Sequence, residues 1–542
     1  MRLYKFSILL GILLCFLAQI TCANDTLVTA VDSVVIAADS VDVSAVHSLD
    51  VVEKTEPYFS EKLLSDKGLP VVAILFAILG LLYYTFKSLS AGIRNMLDTD
   101  DNLMVVQRFD LEEKLSVYAA TRNVLKIITP VMLFGYLLYV AVVGTGMQGY
   151  VMEWLNLLVR WAHVVAGVMW IGASFYFIFL ENNLNRTKGI RSELAGNLWA
   201  VHGGGFYFLE KYKVAPKEIP EDLHWFKYEA YFTFLTGFTL MTVVYYMDAK
   251  AFLIDPSVAD IPVWLGIMIG VATLALGWLV YDLMCRSPLI ERQGWFAVVG
   301  CILLTALAYF LTHVFNSRAA YIHFGALIGT IMVGNVYFNI IPAQKAMVRS
   351  ATVGEALDAS LGKKAGQRSL HNNYLTLPVI FIMISNHFPI TFGHHYNWVI
   401  LIVIGLASAG VKHYWNLVER GLVKTHILVL SVVTILSLAL VTSPVFEETI
   451  DKAIPVSFVE ANAIIQRRCV QCHSASPTDD QWTSAPNGVM YDTPEQIRNM
   501  SDKIMTRAVR SKTMPQGNKT KMTDEERLIL KRWILQGAKI DN

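Results

Sequence analysis

Charged residues are scarce in this chain of 542 residues, where they make up 16% of the sequence. Soluble domains carry about 25% charged residues, so the composition excludes an ordinary soluble protein. Hydrophobic residues supply 54%, and the formal net charge is +1. Because no strong excess of basic residues is present, nucleic acid is not an expected partner. The composition instead predicts a protein embedded in membrane lipid.

Cysteine is also rare, with six residues in the whole chain. Cys15 and Cys22 belong to an N-terminal segment that export would remove. The remaining four are Cys285, Cys301, Cys469 and Cys472. So few cysteines exclude a disulfide framework. The first two of these lie in apolar runs and are interpreted as small core residues, so only the pair at 469 and 472 has a spacing that indicates chemistry.

The N-terminus has the features of a signal peptide over residues 1–23. Basic residues precede an apolar run at 8–20, and small residues follow it. A basic start, a short apolar core and a small-residue cleavage site are the parts of a secretory signal. A lipoprotein signal through Cys22 is the alternative, which the preceding residues fit poorly. Residues 24–68 are then interpreted as an exported linker.

Ten apolar segments after the linker are long enough to cross about 30 Å of hydrocarbon as helices. Two of them fall in residues 69–151, with a cytoplasmic loop between them, and eight fall in residues 152–445. The segments are 69–86, 127–144, 154–180, 230–246, 261–285, 295–315, 319–341, 374–390, 398–414 and 425–442. An abrupt change to polar composition follows the last one and marks a separate C-terminal domain.

The basic residues between the spans are distributed asymmetrically. With an external N-terminus and ten spans, the loops predicted inside hold most of the lysines and arginines. The loops predicted outside hold only Lys250 and Arg318. This asymmetry follows the positive-inside rule. It predicts a multi-pass protein of the inner (plasma) membrane with its C-terminal domain on the periplasmic, outer side.

The C-terminal domain, residues 446–542, is predicted to be small and helical. One helix leads into Cys469. Another begins after Thr523, whose capping-box partner is Glu526, and stops before Gly537. A domain this small buries little core, which a covalently attached cofactor would compensate.

The string RCVQCH at 468–473 contains a C-x-x-C-H motif, the attachment site of a c-type haem. Cys469 and Cys472 would form thioether bonds to haem, and His473 would supply an axial nitrogen to iron. A redox dithiol or half of a zinc site is the alternative, but the sequence lacks the second cysteine pair that tetrahedral sulfur ligation needs. The motif therefore predicts a cytochrome c domain with covalent haem c.

The second axial ligand of the iron is expected downstream of the motif. Met514, followed by Pro515 in SKTMPQGN, is the best candidate, because a thioether on a loop is the usual partner that raises the reduction potential. Four other methionines compete for this role: Met490, Met500, Met505 and Met522. The predicted iron ligands are therefore His473 and Met514.

Histidine is frequent near the predicted spans, and polar side chains at membrane depth are candidates for function. His163 lies nine residues into its segment, about 13 Å deep at a helical rise of 1.5 Å per residue. One hypothesis is that His163 and His323 bind a b-type haem or line a redox pocket that feeds the cytochrome. The alternative is that each histidine forms a hydrogen bond between helices.

Several long strings carry a resemblance to a known family. They are WLNLLVRWAHVVAGVMWIGASFYF from Trp154, LWAVHGGGFYFLEKY from Leu198, LHWFKYEAYFTFLTGF from Leu223, AQKAMV from Ala343, QRSLHNNYLTLPVIFIMISNHFPITF from Gln367 and TMPQGNKTKMTDEERLILKRWI in the tail. The chain resembles the membrane-integral urate hydroxylases, urate oxidases that join an eight-span membrane domain to a C-terminal cytochrome c. The fold expected by resemblance is all-α: a polytopic transmembrane helical bundle of about ten spans, eight in the family core, followed by a small class I cytochrome c domain.

The resemblance also implies a function. The expected substrate is urate and the expected product is 5-hydroxyisourate, with electrons leaving through haem c to a terminal oxidase or a soluble cytochrome. Urate is an anion at neutral pH, so a basic group beside neutral donors should hold it. The matching strings supply eight candidate site residues: His163, His202, Glu229, Arg368, His371, Asn372, Asn373 and His387.

Three other functions are alternatives to urate oxidation. The main alternative is a membrane electron relay that oxidises quinol and never binds a purine. A haem–copper site at His394 and His395 is a second, disfavoured because the pair lies in a short loop and no His-x-His follows in a later span. Transport or sensing, with the cytochrome as a redox reporter, is the third.

Overall fold

The structure is a computed structural model that describes residues 68–100, 103–142, 147–187, 189–216, 218–220, 222–443, 454–479, 482 and 484–541. The predicted signal peptide, and the predicted linker up to residue 67, lie outside the described residues. By its internal contacts the chain divides into two compact units, Met1–Met152 and Glu153–Asn542. The C-terminal domain therefore falls in the same unit as most of the membrane helices.

Two long helices make up most of what is described of the first unit. Helix α1 is Gly68–Thr99 and helix α2 is Val105–Val142. Phe86 of α1 is buried, and its ring centroid lies 5.6 Å from that of Tyr118 in α2. The two spans predicted between residues 69 and 151 thus overlap helices that pack against each other.

The second unit is built mainly from long apolar helices. Their bounds are α3 Gln148–Asn183, α4 Tyr228–Met241, α5 Val263–Arg286, α6 Gln293–Thr312, α7 Ser317–Gly334, α8 Ile341–Val353, α9 Ala359–Ser385, α10 Asn397–Val418 and α11 Thr425–Val441. Many of them expose large apolar side chains, including Trp264, Ile302 and Leu440. Such faces suit lipid, since a large apolar surface is unfavourable in water.

Six helices in the described part of the chain are long and apolar enough to cross a membrane. They are Phe76–Thr99, Tyr150–Asn183, Val263–Arg286, Gln293–Thr312, Ser317–Val353 and Asn397–Val418. The predicted membrane character is supported, whereas the number of ten spans stays a prediction. The other four predicted segments overlap helices that are shorter or more polar; α11, for example, has 17 residues, and α9 has two lysines and an arginine within its first ten residues.

Helix α7 is the most deeply buried of the six. Its close packing depends on glycine: a Cβ at Gly325 would lie 2.6 Å from the side chain of Ile382 in α9. Small residues of this kind let membrane helices approach each other. Two π-helical turns, Thr242–Tyr246 after α4 and Asn335–Ile340 after α7, interrupt the regular helices. Such turns are frequent at functional sites.

The described part of the chain is mostly helical, as predicted, and one segment departs from the all-α prediction. Strands β1 Leu194–His202 and β2 Gly205–Tyr212 form an antiparallel hairpin between α3 and α4, with His202 opposite Gly205. The turn residues at 203 and 204 are glycines with φ of 58° and 80°, which a two-residue hairpin turn requires. The sequence did not predict these strands, because four consecutive apolar residues at 206–209 obscure the alternation of apolar and polar residues that indicates a strand.

The C-terminal domain has its own hydrophobic core. Among its described residues, the α-helices of six residues or more are α12 Phe458–Arg468, α13 Pro494–Asn499 and α14 Asp524–Leu535. The rings of Phe458 and Trp533 join α12 to α14 with centroids 5.9 Å apart. The predicted capping box of Thr523 and Glu526 is confirmed. Helix α14 ends before Gly537, whose φ of 98° lies in the left-handed region.

Candidate functional site

A buried polar network links helices α5, α7 and α9, and Arg368 of α9 lies at its centre. The Arg368 guanidinium donates to Asp282 Oδ1 at 2.7 Å and to Asn335 Oδ1 at 3.0 Å. It also lies over the Tyr281 ring, 5.2 Å from the centroid. Arg368 and Asp282 are 7% and 3% exposed. The arginine expected to hold the substrate is thus engaged by a carboxylate of its own chain.

Asn372 and His371 extend this network along α9. Asn335 Nδ2 donates to Asn372 Oδ1, and Asn372 Nδ2 donates to a backbone carbonyl of α7, both at 2.9 Å. His371 Nδ1 lies 2.8 Å from the Tyr281 hydroxyl. Residues 368, 371 and 372 meet the same neighbours because positions three and four apart share one face of a helix. Polar groups that satisfy one another's hydrogen bonds inside the protein make its core more rigid.

Asn373, the next residue of α9, contacts a different helix. Its Oδ1 accepts a hydrogen bond from Asn416 Nδ2 of α10 at 2.9 Å, and both residues are buried. Within the described part of the chain, Asn373 Nδ2 and Asn416 Oδ1 have no hydrogen-bond partner. Hydrogen bonding at this amide pair is therefore incomplete, which is uncommon for buried polar atoms.

His163 and Arg160 lie one turn apart on α3. His163 Nδ1 is 3.1 Å from the Thr233 carbonyl oxygen of α4. Gly237 permits this approach, because a Cβ there would lie 2.7 Å from the imidazole Cε1. Arg160 donates from Nε and Nη2 to Asn156 Oδ1 at 3.2 and 2.9 Å. His163 thus joins two helices, and its neighbour Arg160 is a cation that the sequence-based candidates omitted.

His323, the other histidine of the b-type haem hypothesis, uses both ring nitrogens. Its Nδ1 lies 2.8 Å from the Ala319 carbonyl oxygen, and its Nε2 lies 3.1 Å from the Tyr246 hydroxyl. The ring is fully buried, and a Cβ at Gly270 would lie 2.8 Å from Nε2. These contacts favour the alternative, in which His323 is a hydrogen-bonding residue between helices.

Two of the eight candidates lie apart from these groups. His202 is exposed beside the turn of the β-hairpin. Glu229 is half-buried in the first turn of α4, where the helix dipole favours a carboxylate. Among the contacts of the described residues, neither side chain joins the Arg368 network or touches His163. The structure therefore does not gather the eight candidates into one site.

Four positively charged or protonatable side chains form what is here termed the cation cluster: Arg160, Arg318, His387 and Arg507. His387 lies close enough to all three arginines for their charges to interact. Arg318 interacts in the same way with Arg160 on one side and Arg507 on the other. Burial, together with the Arg318 charge, lowers the pKa of Arg507 below its ordinary value. Only His387 of this cluster was a candidate from the sequence.

The C-x-x-C-H motif follows directly on α12. Cys469 packs against the core of the C-terminal domain, and burial raises the pKa of its thiol to about 12. His473 Nδ1 lies 2.9 Å from the Val489 carbonyl oxygen, to which it donates. Burial lowers the pKa of His473, so the neutral ring keeps a lone pair on Nε2. An imidazole held in this way fits an axial haem ligand.

Met514 lies in a loop, residues 511–517, that is termed the Met514 loop. The backbone N–H of Met514 donates to the Arg507 carbonyl at 3.0 Å, and the carbonyl of Met514 accepts from Arg527 Nη1 at 2.8 Å. Met514 is half-buried against the domain core, whereas Met522 is part of that core and Met505 is also buried. Arg527, itself buried, therefore fixes the loop that carries the predicted axial ligand.

The Met514 loop packs against short segments that connect the membrane helices. A Cβ at Gly517 would lie 3.0 Å from the Lys250 carbonyl oxygen. A Cβ at Gly393, which follows α9 and a single-turn helix, would overlap Ser511 of the loop. The contact thus depends on glycine on both sides. A cavity of about 40 Å³ lies at this junction, and Arg318, Arg507 and Met514 are among its lining residues.

Comparison with known families assigns the membrane part of the chain to a family. The family model for the urate oxidase N-terminal domain matches residues 149–443, more than half of the 542 residues. The chain belongs to this urate oxidase family. No match was found among curated proteins or solved structures.

The urate oxidase match covers helices α3 to α11 almost completely. It includes all eight sequence-based candidates, and it also includes Arg160 and Arg318. The C-terminal domain, with Arg507 and Met514, lies outside the match. The junction between the two parts therefore joins a urate oxidase domain to a domain whose chemistry rests on its own motif.

Sequence reasoning missed three arginines and the acidic partner of a fourth. Arg160 carried a signal, since a charge inside a predicted span is costly unless it is used. Arg318 carried another, as one of two basic residues in the loops predicted outside. Nothing in the sequence marks Asp282 or Arg507, because their importance depends on neighbours that are far away in the sequence.

Proposed function

We propose that the protein oxidises urate to 5-hydroxyisourate in its membrane domain and passes the electrons to an acceptor through its C-terminal domain. In this reaction urate takes up one oxygen atom from water and releases two electrons and two protons. Membership of the urate oxidase family supports urate as the substrate.

The C-terminal domain is proposed to be the electron-accepting part, with haem c attached at Cys469 and Cys472. His473 and Met514 are the proposed axial ligands. The hydrogen bond from His473 Nδ1 to a carbonyl supports this assignment, because it leaves Nε2 to ligate a metal. When bound, haem c would take up electrons one at a time and deliver them to a terminal oxidase or a soluble cytochrome.

The observation that carries the proposal is the direct packing of the Met514 loop on the urate oxidase domain. Gly517 meets the backbone at Lys250, and Gly393 meets Ser511. An acceptor held by this loop would therefore lie beside the domain that binds the substrate, with no diffusing carrier between them.

The proposed setting is the plasma membrane, with ten spans in lipid and the C-terminal domain outside. Lys250 and Arg318 are the two basic residues of the loops predicted outside. Lys250 meets the C-terminal domain at Gly517, and Arg318 shares the junction cavity with it. Their position on the same side as that domain supports the predicted orientation.

The test is anaerobic addition of urate to the purified full-length protein. Urate should reduce a c-type absorbance band, one molecule should deliver two electrons, and oxygen from labelled water should enter the product. A Cys469→Ala, Cys472→Ala variant is the control that cannot attach haem. Reduction by a quinol and not by urate would refute the proposal and favour the electron-relay alternative.

A further inference from the structure

The cation cluster brings together three guanidinium groups and one imidazole from four separate segments of the chain. Arg160 comes from α3, Arg318 from the start of α7, and His387 from the segment after α9. Arg507 comes from the C-terminal domain, in the π-helical turn before the Met514 loop. The cluster thus spans the junction between the urate oxidase domain and the C-terminal domain.

No carboxylate of the described residues neutralises this charge. None of the three arginines forms an ion pair there, and no acidic side chain is among the charges that act on Arg160, His387 or Arg507. Arg318 Nε is buried without a hydrogen-bond partner among the described residues, and its Nη2 reaches Asn386 Oδ1 only at 3.4 Å. The Arg318 side chain also hydrogen-bonds the buried Tyr245, a neutral phenol that does not balance its charge. Like charges on both sides of a packed junction repel each other, and burial strengthens the repulsion.

The Arg368 network shows how the same chain treats a buried cation that has a structural role. Arg368 is paired with Asp282 at 2.7 Å and hydrogen-bonded to Asn335. Among the described residues the cation cluster lacks such a partner, although Arg318 Nε is also buried. The difference indicates that the counter-charge of the cluster is supplied from outside the described residues.

The surroundings of the cluster suit a planar anion with oxygen atoms on its edge. The junction cavity combines the guanidinium groups of Arg318 and Arg507 with an amide, Gln516, and two aromatic residues, Phe252 and Phe392. Guanidinium groups bind adjacent oxygen atoms in a forked geometry, and aromatic faces pack on flat rings. A cavity of about 40 Å³ has room for the edge of such a molecule rather than for all of it.

We propose that the cation cluster binds the anionic edge of urate at the junction between the membrane helices and the Met514 loop. The unpaired charges of the cluster are the reason to expect a bound anion. The identification of that anion as urate rests on the proposed function. Met514 lines the same cavity as Arg318 and Arg507. The bound ring would therefore touch the loop that carries the proposed axial ligand.

The test measures binding separately from turnover. Full-length protein is reduced with dithionite, so that urate has no electron acceptor, and the binding of radiolabelled urate is measured by equilibrium dialysis. The variants are Arg318→Gln and Arg507→Gln, with Arg318→Lys and Arg507→Lys as conservative partners. Lys250→Gln is the matched control, since Lys250 is an exposed cation at the same junction. The haem midpoint potential is recorded for every variant.

Each glutamine variant should weaken urate binding roughly 10- to 100-fold, the usual effect of losing a charge-assisted hydrogen bond. The lysine variants should bind with intermediate affinity, and the control should bind as the natural protein does. Unchanged affinity in both glutamine variants would overturn the proposal. So would a shifted haem potential with unchanged urate binding, because the arginines would then serve the carboxylates of haem.

The same experiment separates the two proposals. If the natural protein binds urate through the cluster but urate never reduces haem, the proposed function fails and the site stands. If urate reduces haem with a KM that neither glutamine variant changes, the site is wrong and the function stands.

Discussion

Replacing Asp282 by asparagine should destabilise the membrane domain strongly. Asp282 accepts from Arg368 at 2.7 Å and from Arg286 at 2.6 Å. The variant keeps the size of the side chain and removes its charge, so the Arg368 guanidinium would remain buried without a counter-ion. Breaking a buried ion pair from one side typically costs about 3–5 kcal/mol. We expect a loss of that size in the free energy of unfolding.

The second arginine provides a matched control. The Arg286 side chain is 59% exposed, so its ion pair with the same carboxylate is screened by solvent. Exposed pairs contribute about 0–1 kcal/mol. Arg286→Gln should therefore cost much less than Asp282→Asn. The double variant Asp282→Asn, Arg368→Gln should recover part of the loss, because it removes both buried charges together.

The assay is unfolding of the detergent-solubilised full-length protein by heat and by denaturant, with Asp282→Asn, Arg368→Gln and their double variant in one cycle and Arg286→Gln measured beside it. A loss below about 1 kcal/mol for Asp282→Asn would refute the claim that the ion pair is buried and needed. Equal effects of Asp282→Asn and Arg286→Gln would refute it as well. Retention of urate binding in the double variant would support a structural role for Arg368.

Three further predictions concern the C-terminal domain and its junction. Met514→Ala should abolish the near-infrared charge-transfer band of a methionine-ligated haem. Gly393→Ala places a methyl group against the Met514 loop; overpacking costs about 1–3 kcal/mol, so amide exchange in that loop should rise roughly 5- to 100-fold. Burial alone would raise the pKa of Glu526, but hydrogen bonding from Arg468 outweighs it and lowers that pKa below its ordinary value of 4.5. The stability this carboxylate adds is therefore present above pH 4.5 and lost as the pH falls through the folded-state pKa.

Each of these predictions has its own control. Persistence of the charge-transfer band in Met514→Ala would assign the ligand to another methionine. Gly405→Ala in α10 places a Cβ where no atom lies within 4 Å, so equal exchange in both glycine variants would contradict the packing argument. Glu526→Gln should lower the unfolding temperature at pH 7 and much less at pH 3. The same decrease at both values would contradict the assigned role of the carboxylate.

The two polar groups of the membrane domain differ in a way that bears on function. The Arg368 network pairs its cation with Asp282 and satisfies its amides internally. The cation cluster leaves Arg318 Nε unbonded within the described residues. A network that is complete stabilises a fold, whereas a set of unpaired cations is completed by a ligand. Half of the eight sequence-based candidates fell in or next to the first group.

Local features of this protein were determined by the sequence itself. Hydropathy located the helices because burial in lipid or core depends on residues a few positions apart. The capping box at Thr523 and Glu526 could be predicted for the same reason, since the two side chains are three residues apart. The β-hairpin could also be predicted from the sequence, because the adjacent glycines at 203 and 204 are a hairpin signal. The apolar run beside them obscured that signal.

Only the tertiary structure decided which polar side chains meet. Arg368 and Asp282 are 86 positions apart, and no pattern in the sequence indicates that one neutralises the other. Arg160 and Arg507 lie in different domains, yet both act on His387. Charges interact through space, so whether a cation is paired depends on how helices pack and not on its neighbours along the chain. The sequence could name the residue types of the proposed urate site, and packing decided which cations have no ion-pair partner among the described residues.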